Sequence, residues 1–427
     1  MTRTLSLAVG LLVLLALPAS AGTTNPWLKP PRSFINMAHQ GGEREFPSNT
    51  MYAFKEAIAA GADTLEIDIN RTKDKRFVVM HDWTLDRTTD GSGYTTDSTL
   101  AQVQKLDGAY NFIPGRNAVP GEPAESYPFR GVATGDKPPP EGYTAEDFRV
   151  PSLDEVLEAF PDTPINIEIK GQEDEEAEFL ENAELLAKQL EGTTRTDLIV
   201  ASFSQAAVDR FHELAPAIGI APGLEGLVGF FLQGKPMPNA DAVVALQIPT
   251  EYAGITALTP RRVLEAHRQG WAVHMWLSGN EENAEVYNDL LDHCVDGIMP
   301  AAPVALERVL RKRNVIRPGN GKGEDPCAAL PGKVRADDGS IAVVMKRRGV
   351  VPEAYKGNVR LTNRKGKLLG AGEFEFKNGK AKKAVARLQL VKRGRKAFDA
   401  GKKFKARVVA KTDGRRGKVR RRKTVRP

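Results

Sequence analysis

Short apolar runs alternate with helical stretches over most of the chain, and that alternation sets the fold class. Residues 33–37, 64–69, 77–80, 165–169, 198–202, 218–221, 242–248, 272–277 and 295–299 each read as a buried strand. Helical spacing falls between them, first at 49–61, with Asn49 or Thr50 as the cap and Gly61 as the stop. It returns at 153–160, 175–190, 206–214, 260–269, 281–291 and 303–310, the last two Pro-led helices carrying Pro260 and Pro303 in their first turns. Strand–helix repetition predicts a parallel sheet. An open doubly wound sheet would carry a glycine-rich phosphate turn after its first strand, and none is present, so a TIM (β/α)8 barrel over 33–311 is predicted. Nine runs qualify where a barrel needs eight; one is an accessory strand or a misassignment.

The alternation is interrupted once and then ends. Residues 85–150 form a long Gly-, Pro- and aromatic-rich insert after the third strand. An insert there lands on the catalytic rim and is expected to cover the substrate pocket, with Tyr110, Phe112 and Arg130 within reach of a ligand or simply packed in the loop. Residues 312–335 read as a linker. Beyond it the period changes to two, at 340–346, 358–362, 372–376, 386–391, 404–411 and 417–425, with Asn-Gly and Asp-Gly turns between. Residues 336–427 are therefore expected to form a small β-sandwich-like domain.

Charge sharpens that boundary. Residues 331–427 hold 32 Lys and Arg against 7 Asp and Glu, whereas 1–330 hold 29 against 47. At the other end, Arg3, the apolar stretch 5–17 and Ala19-Ser20-Ala21 read as a signal peptide over 1–21, so the protein is expected to be secreted or held at the cell envelope. No other stretch is long and apolar enough for a transmembrane segment. Export permits a disulfide; Cys294 and Cys327, the two cysteines, can bridge or remain two thiols, and spacing alone does not choose.

The chemistry gathers at predicted strand ends. Glu66 and Asp68 are two apart on a strand and face the same side. Inside a barrel two such carboxylates repel and lose hydration unless a cation neutralises them. Glu168 ends another strand, and three oxygen ligands without Cys suit one divalent cation, Ca²⁺ ahead of Mg²⁺ outside the cytosol. His39 and His81 end two further strands and can serve as general base and general acid on either side of a phosphodiester. Lys170, two residues past Glu168, can set a positive charge against the phosphate. Singly, each of these is more often structural; together they fall where one rim collects them. His212, His267, His274 and His293 have no such pattern and receive no role.

Those residues lie in a series of motifs: Ala38-His39-Gln40-Gly41, Pro47-Ser48-Asn49-Thr50, Leu65-Glu66-Ile67-Asp68, Val78-Val79-Met80-His81-Asp82, Leu85-Asp86-Arg87-Thr88-Thr89 and Ile167-Glu168-Ile169-Lys170. Across roughly 34–305 the chain resembles the glycerophosphodiester phosphodiesterase family. The resemblance implies a TIM barrel, a divalent ion on Glu66, Asp68 and Glu168, catalytic histidines at His39 and His81, a phosphate contact at Lys170 and a pocket aromatic at Trp276. It also implies attack by a glycerol hydroxyl, with water then opening a cyclic phosphate. Two positions depart from the family pattern. Gln40 stands where the family commonly has Arg, replacing a charged bidentate phosphate contact with a neutral substrate-binding one, and Ser48 stands for Glu. Lys170, the ion or Arg44 could compensate.

The expected function is metal-dependent hydrolysis of a small-molecule glycerophosphodiester to glycerol 3-phosphate and an alcohol. One rival is a phospholipase acting on intact lipid head groups, which exposed apolar loops at the mouth would favour. Another is a non-catalytic envelope-binding protein whose basic C-terminal domain holds an anionic cell-envelope polymer. That domain lacks the aromatic stripe of a single-strand binder, so no specific nucleic-acid partner is expected.

Overall fold

The computed structural model describes residues 25–28, 34–172, 175–277, 282–318, 323–337, 340–350, 353–413 and 418–426; the expected signal peptide lies outside them. Eight parallel strands form the barrel: β1 (Ile35–Ala38), β2 (Thr64–Arg71), β4 (Ile165–Ile169), β5 (Leu198–Ala201), β6 (Gly219–Ile220), β7 (Ala245–Ile248), β8 (Ala272–Trp276) and β9 (Gly297–Met299). Around the barrel the order is β6-β5-β4-β2-β1-β9-β8-β7. A parallel bridge between Ile220 and Val243 completes the ring, with Ile220 N–H donating to Ala242 O at 3.1 Å. Each stave is followed by a helix: α1 (Met51–Ala60), α2 (Leu153–Ala159), α3 (Glu176–Gln189), α4 (Gln205–Leu214), α5 (Leu224–Gln233), α6 (Pro260–Gln269), α7 (Ala284–Asp292) and α8 (Pro303–Arg313).

The ninth predicted strand, β3 (Phe77–Val79), is the accessory one. It runs antiparallel to β2, pairing Val79 with Ile69, and hangs outside the ring. The insert that follows it therefore sits between the second and third staves. Thr50, not Asn49, caps α1 by accepting from Ala53 N–H, and Gly61 ends it at φ 112°. The main core lies between staves and helices. A smaller one fills the barrel floor, where Trp27 from the lead-in packs with Ile35, Met37 and Ile199. Asn25 fixes that plug by donating to Val244 O and Gly270 O at 2.6 and 2.9 Å.

The basic region is one seven-stranded antiparallel sheet: β10 (Leu330–Asp337), β11 (Ser340–Lys346), β12 (Tyr355–Thr362), β13 (Leu368–Phe376), β14 (Lys383–Leu390), β15 (Phe404–Thr412) and β16 (Val419–Val425). Its order is β10-β11-β14-β13-β12-β15-β16, and the edges β10 and β16 come together. The sheet thus curls round its own core of Val343, Val359, Phe374 and Phe376. Alternation marks one buried face per strand and is the same for a curled sheet as for two facing ones. A helix, α9 (Lys392–Asp399), was not foreseen, and β10 begins within the expected linker. Cys294 and Cys327 are bonded to each other. Beside that bond Glu324 pairs with Arg348 and Arg421, Val350 N–H donates to Asp292 O at 2.7 Å, and Arg268 pairs with Glu353. Cys294 precedes β9, while Arg268 and Asp292 end α6 and α7. The sheet therefore docks on the barrel face opposite the C-terminal ends of the staves.

Candidate active site

Neighbouring staves bring the acids together. Asp68 pairs in register with Glu168, and Glu66 with Asn166, across β2 and β4. One oxygen each from Glu66, Asp68 and Glu168 lies within 4.8 Å of the others, the one such group of three among the described residues. Glu66 and Asp68 are fully buried. Gln40 N–H donates to Glu66 Oε2 at 2.8 Å, and Asn49 Nδ2 to Asp68 Oδ2 at 2.9 Å. The second oxygen of Glu66 is buried without a hydrogen-bond partner. Burial raises Glu66, the charges of Asp68 and Glu168 adding to it; at Asp68 burial is outweighed by Lys170 and the two histidines, which hold it down. Orphaned buried oxygens on acids of unlike affinity for protons fit a hard divalent cation.

His39 and His81 line the same cavity of about 460 Å³. His39 Nδ1 meets Glu43 Oε1 at 2.7 Å, leaving Nε2 3.9 Å from Glu66 Oε2. Burial works against a charged ring, but Glu43, Glu66 and Asp68 outweigh it and hold the His39 imidazole well above its usual range. Gly41, at φ 79°, lets this turn press on α1, since a Cβ there would stand 2.8 Å from that of Ala53. His81 reaches the rim from β3, not from a stave. Asn70 Nδ2 donates to the carbonyls of Met80, His81 and Asp82 at 2.8, 3.2 and 3.1 Å and so pins that excursion. His81 Nδ1 meets Asp82 Oδ1 at 2.8 Å, and Arg87 clamps Asp82 with two bonds at 2.6 and 2.8 Å. Burial would raise Asp82, yet the hydrogen bonds from His81 and Arg87 pull its carboxyl far below the usual range.

The remaining expected residues divide. Lys170 lines the cavity, but its ammonium lies 2.7 Å from Glu168 Oε1 and 3.2 Å from Asp68 Oδ1. Burial would lower it; those two carboxylates hold it above its ordinary value. Gln40 and Trp276 line the cavity, Trp276 edge-on to Phe203 with ring centres 6.0 Å apart. Gln40 sits at φ 50° with its Oε1 buried and unpartnered. Arg44 donates to Gly115 O at 3.1 Å and is not part of the cavity wall, whereas Arg87 is. Among the described residues, Arg87 and Arg262 are the two guanidinium groups on the cavity wall, and Arg87, bound to Asp82, is the one tied to His81; it is readable in the Leu-Asp-Arg-Thr-Thr motif but carries no role in the sequence reading. Asp82 and Glu43 likewise carry no role in the sequence reading, and Asn49, expected there only as a possible helix cap, instead donates to Asp68.

The insert contributes less than expected. Arg130 stacks on Tyr110 and Tyr127, and Phe112 is buried beside Phe129. Asn117 is the insert residue beyond Arg87 that reaches the wall. Most of the apolar lining comes instead from α5 and the turn after β7, with Arg262 of α6 beside it.

A (β/α)8 barrel whose mouth joins three acids to two imidazoles defines a hydrolase site suited to phosphate esters. The model of the glycerophosphoryl diester phosphodiesterase family matches residues 39–301. A glycerophosphodiester phosphodiesterase of Bacillus subtilis is 30% identical over 71% of this chain and 95% of its own. One from Caldanaerobacter subterraneus is 30% identical over 65% of this chain and 97% of its own. A crystal structure of a glycerophosphoryl diester phosphodiesterase from Silicibacter pomeroyi superimposes with a TM-score of 0.52 at 20% identity, over 68% of this chain and 98% of that one. The chain belongs to the glycerophosphoryl diester phosphodiesterase family, and its activity is hydrolysis of glycerophosphodiesters.

Proposed function

We propose that the protein hydrolyses glycerophosphodiesters to glycerol 3-phosphate and an alcohol by acid–base catalysis at His39 and His81, with one divalent cation, Ca²⁺ ahead of Mg²⁺, held by Glu66, Asp68 and Glu168. The observation that carries the reading is the three-carboxylate group, with Glu66 and Asp68 fully buried and one Glu66 oxygen without a hydrogen-bond partner, at a cavity that both histidines line. When bound, the cation supplies positive charge against the phosphate oxygens as the ester is attacked. The residues of the chain do the rest. Glu43 and Asp82 each hold the Nδ1 side of an imidazole, so Nε2 is the working atom on both rings. One ring takes the proton from the attacking glycerol hydroxyl while the other protonates the departing alkoxide. When water opens the resulting cyclic phosphate, the two exchange roles. Lys170, Arg87 and Gln40 stand around the position of the phosphate; Trp276 closes the glycerol side. With Gln in place of the family's Arg, Arg87 brings a guanidinium to that wall beside the Lys170 ammonium.

Export is supported by the leader-like residues 1–21 and by the Cys294–Cys327 bond. Retention at an anionic envelope polymer is supported by the excess charge of the C-terminal sheet, whose strands expose Lys356, Arg360, Lys383, Arg420 and Arg422. No helix among the described residues is long and apolar enough to cross a membrane.

The direct test assays purified protein on glycerophosphocholine with and without chelator, alongside His39→Ala and His81→Ala. Glycerol 3-phosphate release should fall to background in all three cases. Turnover that persists through chelation and both substitutions would overturn the reading.

A further inference from the structure

Resting on the envelope retention proposed above, we propose that the anchor is the far pole of the C-terminal sheet, where a linear polyanion binds. The strands run away from the barrel. At the near end, Val350 after β11 and Glu353 before β12 touch Asp292 and Arg268 of the barrel. At the far end lie the β12–β13 turn at 363–367, helix α9 and the start of β15. Pairing sets these three segments side by side. Thr362, the last residue of β12, pairs with Arg407 of β15 and with Leu368 of β13. On the other flank α9 lies against β13. Val391 N–H donates to Leu369 O at 3.0 Å, and Gly394 is pressed so close that a Cβ would meet that same oxygen.

Charge is compensated near the barrel and not at the pole. At the join Glu324 meets Arg348 and Arg421, and Glu353 meets Arg268. A little further along, Glu375 and Glu373 stand in register with Lys356 and Asn358. Residues 363–367 and 391–405, by contrast, carry ten Lys and Arg, all exposed, against one acid, Asp399. Asp337 ends β10, on the other side of β16. The turn presents its share from a fixed loop: Asn363 Oδ1 accepts from Lys365 N–H and Lys367 N–H, both at 3.0 Å, and Gly366 supplies the left-handed residue at φ 77°. Cations crowded in this way repel one another and weaken the folded state. A polyanion relieves that repulsion and releases its own counterions in doing so.

A lipid bilayer is the other kind of anionic surface, and the pole is poorly made for it. Lipid docking draws on apolar side chains set among the cations. Val391 is the one large apolar residue well exposed in these segments, while Phe398 and Phe404 pack on the core of the sheet. A linear polymer needs no inserted group. Held at this pole, the chain would have the whole barrel between the polymer and the catalytic mouth.

The test measures binding of the whole protein to immobilised polyglutamate at low salt, beside two variants matched in lost charge. The pole variant carries Lys365→Gln, Lys367→Gln, Arg393→Gln and Lys396→Gln. The face variant carries Lys356→Gln, Arg360→Gln, Lys383→Gln and Arg422→Gln. All eight positions are exposed, so turnover of glycerophosphocholine should be unaltered in both and shows that both fold. Affinity should fall at least about tenfold in the pole variant and less than about threefold in the face variant, with the salt dependence shallower in the first. An equal loss in both, or a larger one in the face variant, would overturn the pole while leaving retention in place. Tighter binding to phosphatidylglycerol vesicles than to polyglutamate would overturn the polymer as the partner. A parent chain that ignores polymer and vesicles alike would overturn the pole and retention together, with phosphodiester hydrolysis untouched.

Discussion

The barrel mouth and the C-terminal sheet are the two charge-rich regions of the molecule, and they handle charge in opposite ways. At the mouth, acids and bases are interlocked around the fully buried Asp68 and Glu66: Lys170 against Glu168 and Asp68, His39 against Glu43, and the half-buried His81 and Arg87 against Asp82. In the sheet, cations of one sign project into water from the outward face of strands whose inward face is apolar. Buried charge is felt strongly and must be satisfied site by site, whereas exposed charge is screened within about 10 Å at ordinary salt and acts only in aggregate. The two regions also face apart, since the sheet docks on the floor of the barrel. A chain held through its sheet would therefore leave the catalytic opening directed away from whatever holds it.

Single substitutions should separate the two kinds of charge sharply. Glu66→Gln, His39→Ala or His81→Ala should each cost at least about 10³-fold in kcat, because each removes a group that acts as part of a unit. A steady-state assay checks this, and retention of a tenth of the activity would remove that group from the mechanism. Asp82 is a positioning residue: Asp82→Asn keeps the shape but loses the charge that orients His81, and kcat should fall about 10²-fold with KM nearly constant. A pH series gives an independent reading. The Asp82 carboxyl is depressed in the folded protein, so its contribution to stability is present above about pH 4 and fades as pH falls through the folded value. The melting-temperature gap between the parent chain and Asp82→Asn should therefore close on acidification.

Legibility in the sequence also differs between the regions, for physical reasons. Residues 66 and 68 on one strand and 168 on another could be placed at a common mouth, because a period of two and strand-end position are local properties. The direction of β3 was not local: a short strand buried on both faces looks the same whether it is a parallel stave or an antiparallel spur. Helix α5 was missed because Gly226 and Gly229 weaken the helical signal and its apolar residues leave no polar face to mark the period. Asp82 and Arg87 were visible as letters, but the clamp they form on His81 depends on a turn that only the fold supplies. In the sheet the alternation located six strands, while the closing strand β10 was hidden by Pro331 and Gly332 in what read as a linker.

Cutting the join between the regions should have an intermediate effect. Replacing Cys294 and Cys327 with Ser opens a loop of 33 residues, worth about 3–4 kcal/mol of chain entropy in the simplest account. Calorimetry should show the sheet melting earlier, while kcat, set on the far face of the barrel, changes less than about twofold. A parallel loss of activity would mean that the floor and the mouth are mechanically coupled.

Salt should have the smallest effect on catalysis and separate the regions most cleanly. At low ionic strength the whole chain should bind an immobilised polyanion such as polyglutamate, and the bound fraction should fall steeply as salt rises, because many exposed cations release counterions together. The acids and imidazoles of the site act through contacts of 2.7–3.9 Å, well inside the screening length, so turnover of glycerophosphocholine should change by less than about twofold across that range. Measuring both on one sample is decisive for retention. A chain that ignores the polymer at the lowest salt loses the anchoring role, with the reaction at the opposite pole untouched.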